Sequence, residues 1–209
     1  MYNNKNVVQK IKNSIWGRIA LGVMLIGMSM SSQASLLGFD LQDSPDISAV
    51  EIDSTYFDVT KVFEAKGYAS ELNFNDVTYQ ISGSNDKDYI LKANIENDGT
   101  FTGGSIEIGG QIMSNMGLPG NYTASSNILL TGDLFQFGSE SSGTLDFLFK
   151  VTGGDAADLY GGLGSIGVII LRGSGFSTNW GLHEDTTGGQ SDNGLRVAVP
   201  EPTSMWLLG

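Results

Sequence analysis

The chain contains no cysteine. Disulfide staples, thiolate metal sites and cysteine nucleophiles are therefore excluded. Proline occurs four times and histidine once, against 29 glycines in 209 residues. Glycine at about twice its ordinary share of roughly 7%, with so little proline, points to tight turns between strands rather than a disordered linker. Basic side chains are scarce too: 11 Lys and Arg face 23 Asp and Glu, a formal net charge of −12. Nucleic acid binding needs clustered cations against phosphate, so no nucleic-acid partner is expected. The length suits one domain once terminal signals are set aside, with enough chain to bury a core.

The N-terminus carries Lys5, Lys10, Lys12 and Arg18 before the first acid, Asp40. An apolar run from Ile19 to Met30 leads into Ser31-Ser32-Gln33-Ala34. This is the layout of a secretory signal peptide, and the small residues Ser32 and Ala34 predict cleavage by signal peptidase between Ala34 and Ser35. A run of about 12 residues falls short of the roughly 20 that span a bilayer stably. An amphipathic membrane-surface helix is the weaker alternative. Cleavage leaves seven Lys and Arg against 23 acids, a net charge near −16.

The body reads as short strands between glycine and asparagine turns. Leu36 to Leu41 is a short apolar start, broken by Ser44-Pro45-Asp46. Strands are predicted at Val50 to Val59, Val62 to Ala65, Asp76 to Ser82 and Tyr89 to Ile95, with a turn at Lys66-Gly67. Asp98-Gly99 between β-rich runs predicts a hairpin, because both residues accept positive φ. Ser105 to Ile108 is read as separate from Phe101 by a Gly-Gly pair. Met113 to Asn127 is predicted as a loop, followed by strands from Asn127 to Phe137 and Thr144 to Val151. Leu145, Phe147, Phe149 and Val151 alternate and should share one face. Asp155 is read as the N-cap of one helical turn, Ala156 to Tyr160. The continuous run Gly167 to Leu171 predicts a strand covered on both faces. Regular short strands without helical periods predict an all-β fold, a jelly-roll-like β-sandwich of eight or more strands in two sheets.

Several patterns could carry chemistry. Gly162, Gly164 and Gly167 match G-x-G-x-x-G, but they precede a strand instead of opening a helix, so the phosphate cradle is not expected. His183 is the one candidate general base, without a G-x-S-x-G nucleophile elbow, and reads as a surface loop residue. Glu51 and Asp53, expected on one strand face, and Glu107 and Asp146, on other strands, are candidate carboxylates for paired glycoside chemistry, although exposed strand faces carry acids anyway. The expectation is no catalytic residue and no cofactor. Asn94, Glu96, Asp98 and Gly99 echo a calcium loop, but Ser105 stands at the twelfth position and the hairpin explains the same residues. A structural calcium ion is the weak alternative. Ser84 to Asp88 and Asp192-Asn193-Gly194 read as turns. Trp180, Tyr122 and Tyr160 are potential sugar platforms, with core packing favoured for each.

The C-terminus supplies the sharpest motif, Val199-Pro200-Glu201-Pro202-Thr203, followed by an apolar turn. This resembles the opening of the PEP-CTERM sorting signal, in which Pro-Glu-Pro precedes an apolar membrane helix and an Arg-rich end. Leu130 to Leu134 and Phe147 to Asp155 are also similar to segments of PEP-CTERM proteins. The resemblance implies export and sorting by an exosortase-type processing enzyme in a Gram-negative bacterium that makes exopolysaccharide. It further implies residence in the cell envelope, on the outer surface or in the extracellular matrix. Thr203 to Gly209 falls short of a membrane span and lacks the Arg-rich end, so the gene is expected to continue past Gly209. The expected organisation is a signal peptide over 1–34, a β-sandwich domain over 35–198 and a partial sorting signal over 199–209. Its expected role is structural or adhesive rather than enzymatic, with carbohydrate binding as the alternative.

Overall fold

Alternating burial sets the architecture. A computed structural model describes Leu37 and residues 39–82, 87–112, 118, 127–173 and 175–198, all within the compact unit 34–209. The strands are β1 (Phe39–Phe57), β2 (Val62–Phe74), β3 (Val77–Ser82), β4 (Tyr89–Ile95) and β5 (Phe101–Gly109). They continue as β6 (Gln111–Ile112), β7 (Ile128–Ser139), β8 (Leu145–Gly153), β9 (Ile166–Arg172) and β10 (Glu184–Ala198). The signal-peptide cleavage site at Ala34 and Ser35, the sorting motif at Val199 to Thr203, and Tyr122 lie outside the described residues.

The all-β expectation holds, but the two-sheet jelly-roll-like sandwich does not. Hydrogen-bonded neighbours run β1-β10-β9-β8-β7-β5-β4-β2, and β2 pairs again with β1. Every pairing is antiparallel, so eight strands close into an up-and-down barrel. Inward-apolar alternation is the same in a sandwich and in a barrel. Closure depends on β1 bonding to both β2 and β10, which leaves no sheet edge between two layers. β3 and β6 form a side flap on 71–74 of β2.

A barrel wall must bend. β1 bends through register shifts near Ala49 to Asp53, where Glu51 takes a φ of 52°. The break expected at Ser44-Pro45-Asp46 is a further irregularity within β1, between Leu41 and Asp46. Lys66-Gly67, expected as a turn, lies inside β2 instead. A Cβ at Gly67 would stand 2.6 Å from Ile52 Cγ1, so glycine here admits the bent β1 against β2. Gly103 and Gly104 likewise sit within a continuous β5.

The interior is filled by side chains, as an eight-stranded barrel allows. Ile52, Phe63, Leu91, Ile106, Phe147 and Ile169 are all buried in it. Leu145, Phe147, Phe149 and Val151 share the inward face as expected. Outward positions on β2 and β4 carry Glu64, Lys66 and Lys92, joined in ion pairs of 2.6 and 3.3 Å. Apolar-in and charged-out is the reverse of the pattern on lipid-facing barrels.

One outer region is different. Leu148, Val168 and Ile170 point away from the barrel interior yet are buried, and Leu37 and Leu41 pack on them. Leu148 is level with Val168, and Val168 with Gly194. A Cβ at Gly194 would meet Leu41 Cγ at 3.0 Å, so glycine lets the start of β1 lie flat on this row. The two-face burial expected for Gly167 to Leu171 thus has a physical source. The expected helical turn at Ala156 to Tyr160 is instead a series of turns, with Leu159 and Tyr160 amides each bonding the carbonyl three residues back.

Candidate functional site

A polar network is buried in the barrel. Asn193 on β10 donates through Nδ2 to the Ile47 carbonyl at 2.7 Å, and its backbone amide donates to Asp46 Oδ1 at 3.0 Å. Its Oδ1 accepts from Ser191 Oγ at 3.2 Å and from the Tyr89 hydroxyl at 3.4 Å. The Tyr160 hydroxyl donates to the Asn193 carbonyl. Asn193, Tyr89 and Tyr160 are each fully buried. Burial pushes both tyrosine hydroxyls up, with Asp192 adding for Tyr89 and Asp46 for Tyr160. This buried network, of which Asp46 is the most exposed member at 8%, joins β1, β10, β4 and the 154–165 turns. It is a clasp for closure, because no solvent ligand can reach it.

Asn193 and Asp192 correct the sequence reading: Asp192-Asn193-Gly194 is strand, not turn. Asn has weak strand propensity, and its hydrogen bonds to β1 override that preference. The glycines at 162, 164 and 167 form no phosphate loop. Gly162 and Gly164 sit in turns with positive φ, and a Cβ at Gly167 would overlap the Phe149 ring.

The carboxylate candidates separate. Glu107 is level with Thr131 on β7, whereas Asp146 is level with Gly138 on the same strand. At ~3.3 Å per residue their levels differ by roughly 20 Å, too far for a glycosidase pair. Glu107 is exposed and Asp146 buried. Glu51 and Asp53 are both exposed on β1, and Asp53 is ion-paired with Lys87. Asp88, read as turn chemistry, is half-buried and accepts from the Ala69 amide at 3.0 Å. Its Oδ2 is buried without a hydrogen-bond partner, and desolvation raises its pKa.

The other candidates gather at one end of the barrel. Because neighbouring strands run in opposite directions, the connections 58–61, 96–100, 140–144 and 173–183 share this mouth. Trp180 plugs it, with ring centroids 5.1 Å from Tyr56, 5.1 Å from Phe176 and 5.6 Å from Phe137. Trp180 and Tyr160 are therefore core residues, not sugar platforms. The hairpin at 96–100 forms as expected: Glu96 and Thr100 bond across it, and Gly99 takes a φ of 85°. Asp98 Oδ1 accepts from the Thr100 amide at 2.9 Å, which holds its carboxyl below the ordinary value. Asn97 Oδ1 accepts from Lys61 Nζ at 2.6 Å and Tyr56 Oη at 3.2 Å. Among the described residues no group of three His, Asp or Glu could hold a metal ion.

His183 is exposed and meets Asp185 Oδ2 through Nε2 at 2.9 Å. Asp185 also accepts from Thr55, which with His183 lowers its pKa. Ser177 donates its hydroxyl to Glu184 at 2.6 Å, so its proton is directed to a carboxylate other than that of the His183–Asp185 pair.

Around Trp180 the surface is both apolar and acidic. Phe57, Val59 and Leu182 are 40%, 84% and 62% exposed. The Phe57 ring lies 5.6 Å from the His183 ring. Asp58, Glu96, Asp98, Glu140, Glu184 and Asp185 belong to the same mouth. The Tyr56 hydroxyl has its pKa raised by burial, then by the charges of Glu96 and Asp58. Sequence reading missed Phe57, Val59 and Leu182; Val59 in a polar turn, flanked by Asp58 and Thr60, was the available signal.

Fold and surface together define a class: a filled, antiparallel eight-stranded barrel with an acidic, partly apolar mouth. No family model, curated protein or solved structure matches the chain.

Proposed function

We propose that this is an exported protein of the cell envelope or extracellular matrix, sorted by an exosortase-type system. Its role is structural or adhesive, in association with exopolysaccharide. The carrying observation is Val199-Pro200-Glu201-Pro202-Thr203, placed directly after the closing strand of the barrel. Cutting there would leave the Phe39 to Ala198 pairing intact, so release need not open the barrel. The filled interior also suits a scaffold better than a carrier of an enclosed ligand.

The test combines gene sequence and location. The reading frame past Gly209 should encode an apolar helix and terminal arginines. In the producing organism, loss of the exosortase should retain the protein at the inner membrane. A stop codon after Gly209, with an unchanged distribution in the exosortase-deficient strain, would sink the sorting assignment. A carbohydrate-binding role is the second reading, favoured by exposed Phe57, Val59 and Leu182 beside carboxylates.

A further inference from the structure

We infer that the barrel mouth binds a cationic, amino-sugar-containing polysaccharide. The inference rests on the proposed association with exopolysaccharide and names the ligand class and the surface. Its first observation is an apolar one. Phe57, Val59 and Leu182 are large side chains left in water beside the Trp180 plug, on connections that converge on one mouth. Sugar rings offer C–H faces that pack against such side chains, while their hydroxyl groups reach polar neighbours.

The second observation is charge. Asp58, Glu96, Asp98 and Glu140 lie on connections at this mouth, and Glu184 and Asp185 open β10 there. The mouth's principal cation, Lys61, is already bonded to Asn97 and to the Asp58 carbonyl. An anionic glycan would meet like charge from the rim and from a chain of net charge −12. Ammonium groups on a glucosamine-type polymer complement the same rim.

The apolar part of the mouth is confined to Phe57, Val59 and Leu182 among carboxylates, whereas the core of a protein interface is depleted of charged residues. A narrow linear polymer needs only a platform of this scale. Asp98 and Glu184 are held by bonds within their own loops, so the rim is presented by ordered connections.

Calorimetric titration of the full chain with a glucosamine hexamer, an N-acetylglucosamine hexamer and an alginate oligomer tests this. The expected result is binding of the glucosamine hexamer alone. It should weaken at least about tenfold in Val59→Ser/Leu182→Ser and in Asp58→Asn/Glu96→Gln, the scale of two lost contacts. Leu163→Ser, at the opposite end and also exposed, should bind as the parent does. Circular dichroism and melting of each variant identify any that fail to fold; the two doubles alter different residues, so either alone suffices. No glucosamine binding, or binding equal in both folded doubles, overturns the inference. So does capture of a Lys-Leu peptide with no glucosamine binding, which makes the mouth a protein surface. If the organism's own exopolysaccharide binds with undiminished affinity in both doubles, the proposed function stands and this site falls.

Discussion

Replacing Asn193 with alanine tests the claim that a buried polar clasp holds the barrel closed. The substitution strands the Ile47 carbonyl, which accepts from Asn193 Nδ2 at 2.7 Å, and removes the acceptor used by Ser191 and Tyr89. A buried group left unsatisfied costs about 1–3 kcal/mol. The space left by a fully buried amide adds ~1 kcal/mol. The expected loss is about 3 kcal/mol, or roughly 6–12 °C in Tm at ~2–4 °C per kcal/mol for a domain of this size. Urea unfolding followed by tryptophan fluorescence should show a lower midpoint with an unchanged slope. Asn193→Asp keeps the volume but removes the donor, and its carboxylate would lie on the residue whose amide Asp46 already accepts. That variant should be at least as destabilised at neutral pH. Asn193→Ala within about 0.5 kcal/mol of the parent would refute the clasp, since the range for neutral surface changes would then cover it.

Further predictions follow from other contacts. Gly167→Ala should destabilise by about 1–3 kcal/mol because its methyl group overlaps the Phe149 ring, and Phe149→Leu in the same chain should recover part of that loss in urea melts. Leu148→Ala should cost about 2–4 kcal/mol despite facing away from the barrel interior, because Leu148 is 1% exposed; a surface-like loss under 0.5 kcal/mol would show that the outer row contributes nothing. Asp88 has a folded-state pKa raised by desolvation, so its contribution is fully present below its unfolded value and is lost as pH rises through the folded value. Relative to Asp88→Asn, the parent should therefore lose stability as pH climbs from its ordinary 3.8 through that raised value; no change in the difference between the two melts across this window would contradict it.

Much of the barrel was legible as local pattern. Tyr89 to Ile95 alternates cleanly and forms β4 with those bounds. Gly99 sets the β4–β5 hairpin with a φ of 85°, while Asp98 does not take the positive φ expected of it and instead accepts from the Thr100 amide through its carboxylate. The unbroken apolar run ending at Leu171 announced burial on both faces of β9. β10 went unread, since Glu184 to Gly194 is polar and glycine-rich and carries no strand period. Its partners β1 and β9 supply the hydrogen bonds, and Asn193 supplies the clasp. The mouth was similarly hidden, because Phe57 and Leu182 are 125 positions apart by their numbering and meet one surface only after closure.

Sequence alone determined the cysteine-free chemistry, the acidity, the strand-rich character, the Asp98-Gly99 hairpin and the terminal motifs, since each depends on residue type or on neighbours a few positions away. Tertiary structure decided barrel over sandwich, core over surface for Trp180 and Tyr160, and the separation of Glu107 from Asp146. Those outcomes depend on which strand edges meet and in which register. Inward-apolar alternation is identical whether a sheet stacks on another or closes on itself; the β1 bend, with Gly67 beneath Ile52, made closure possible.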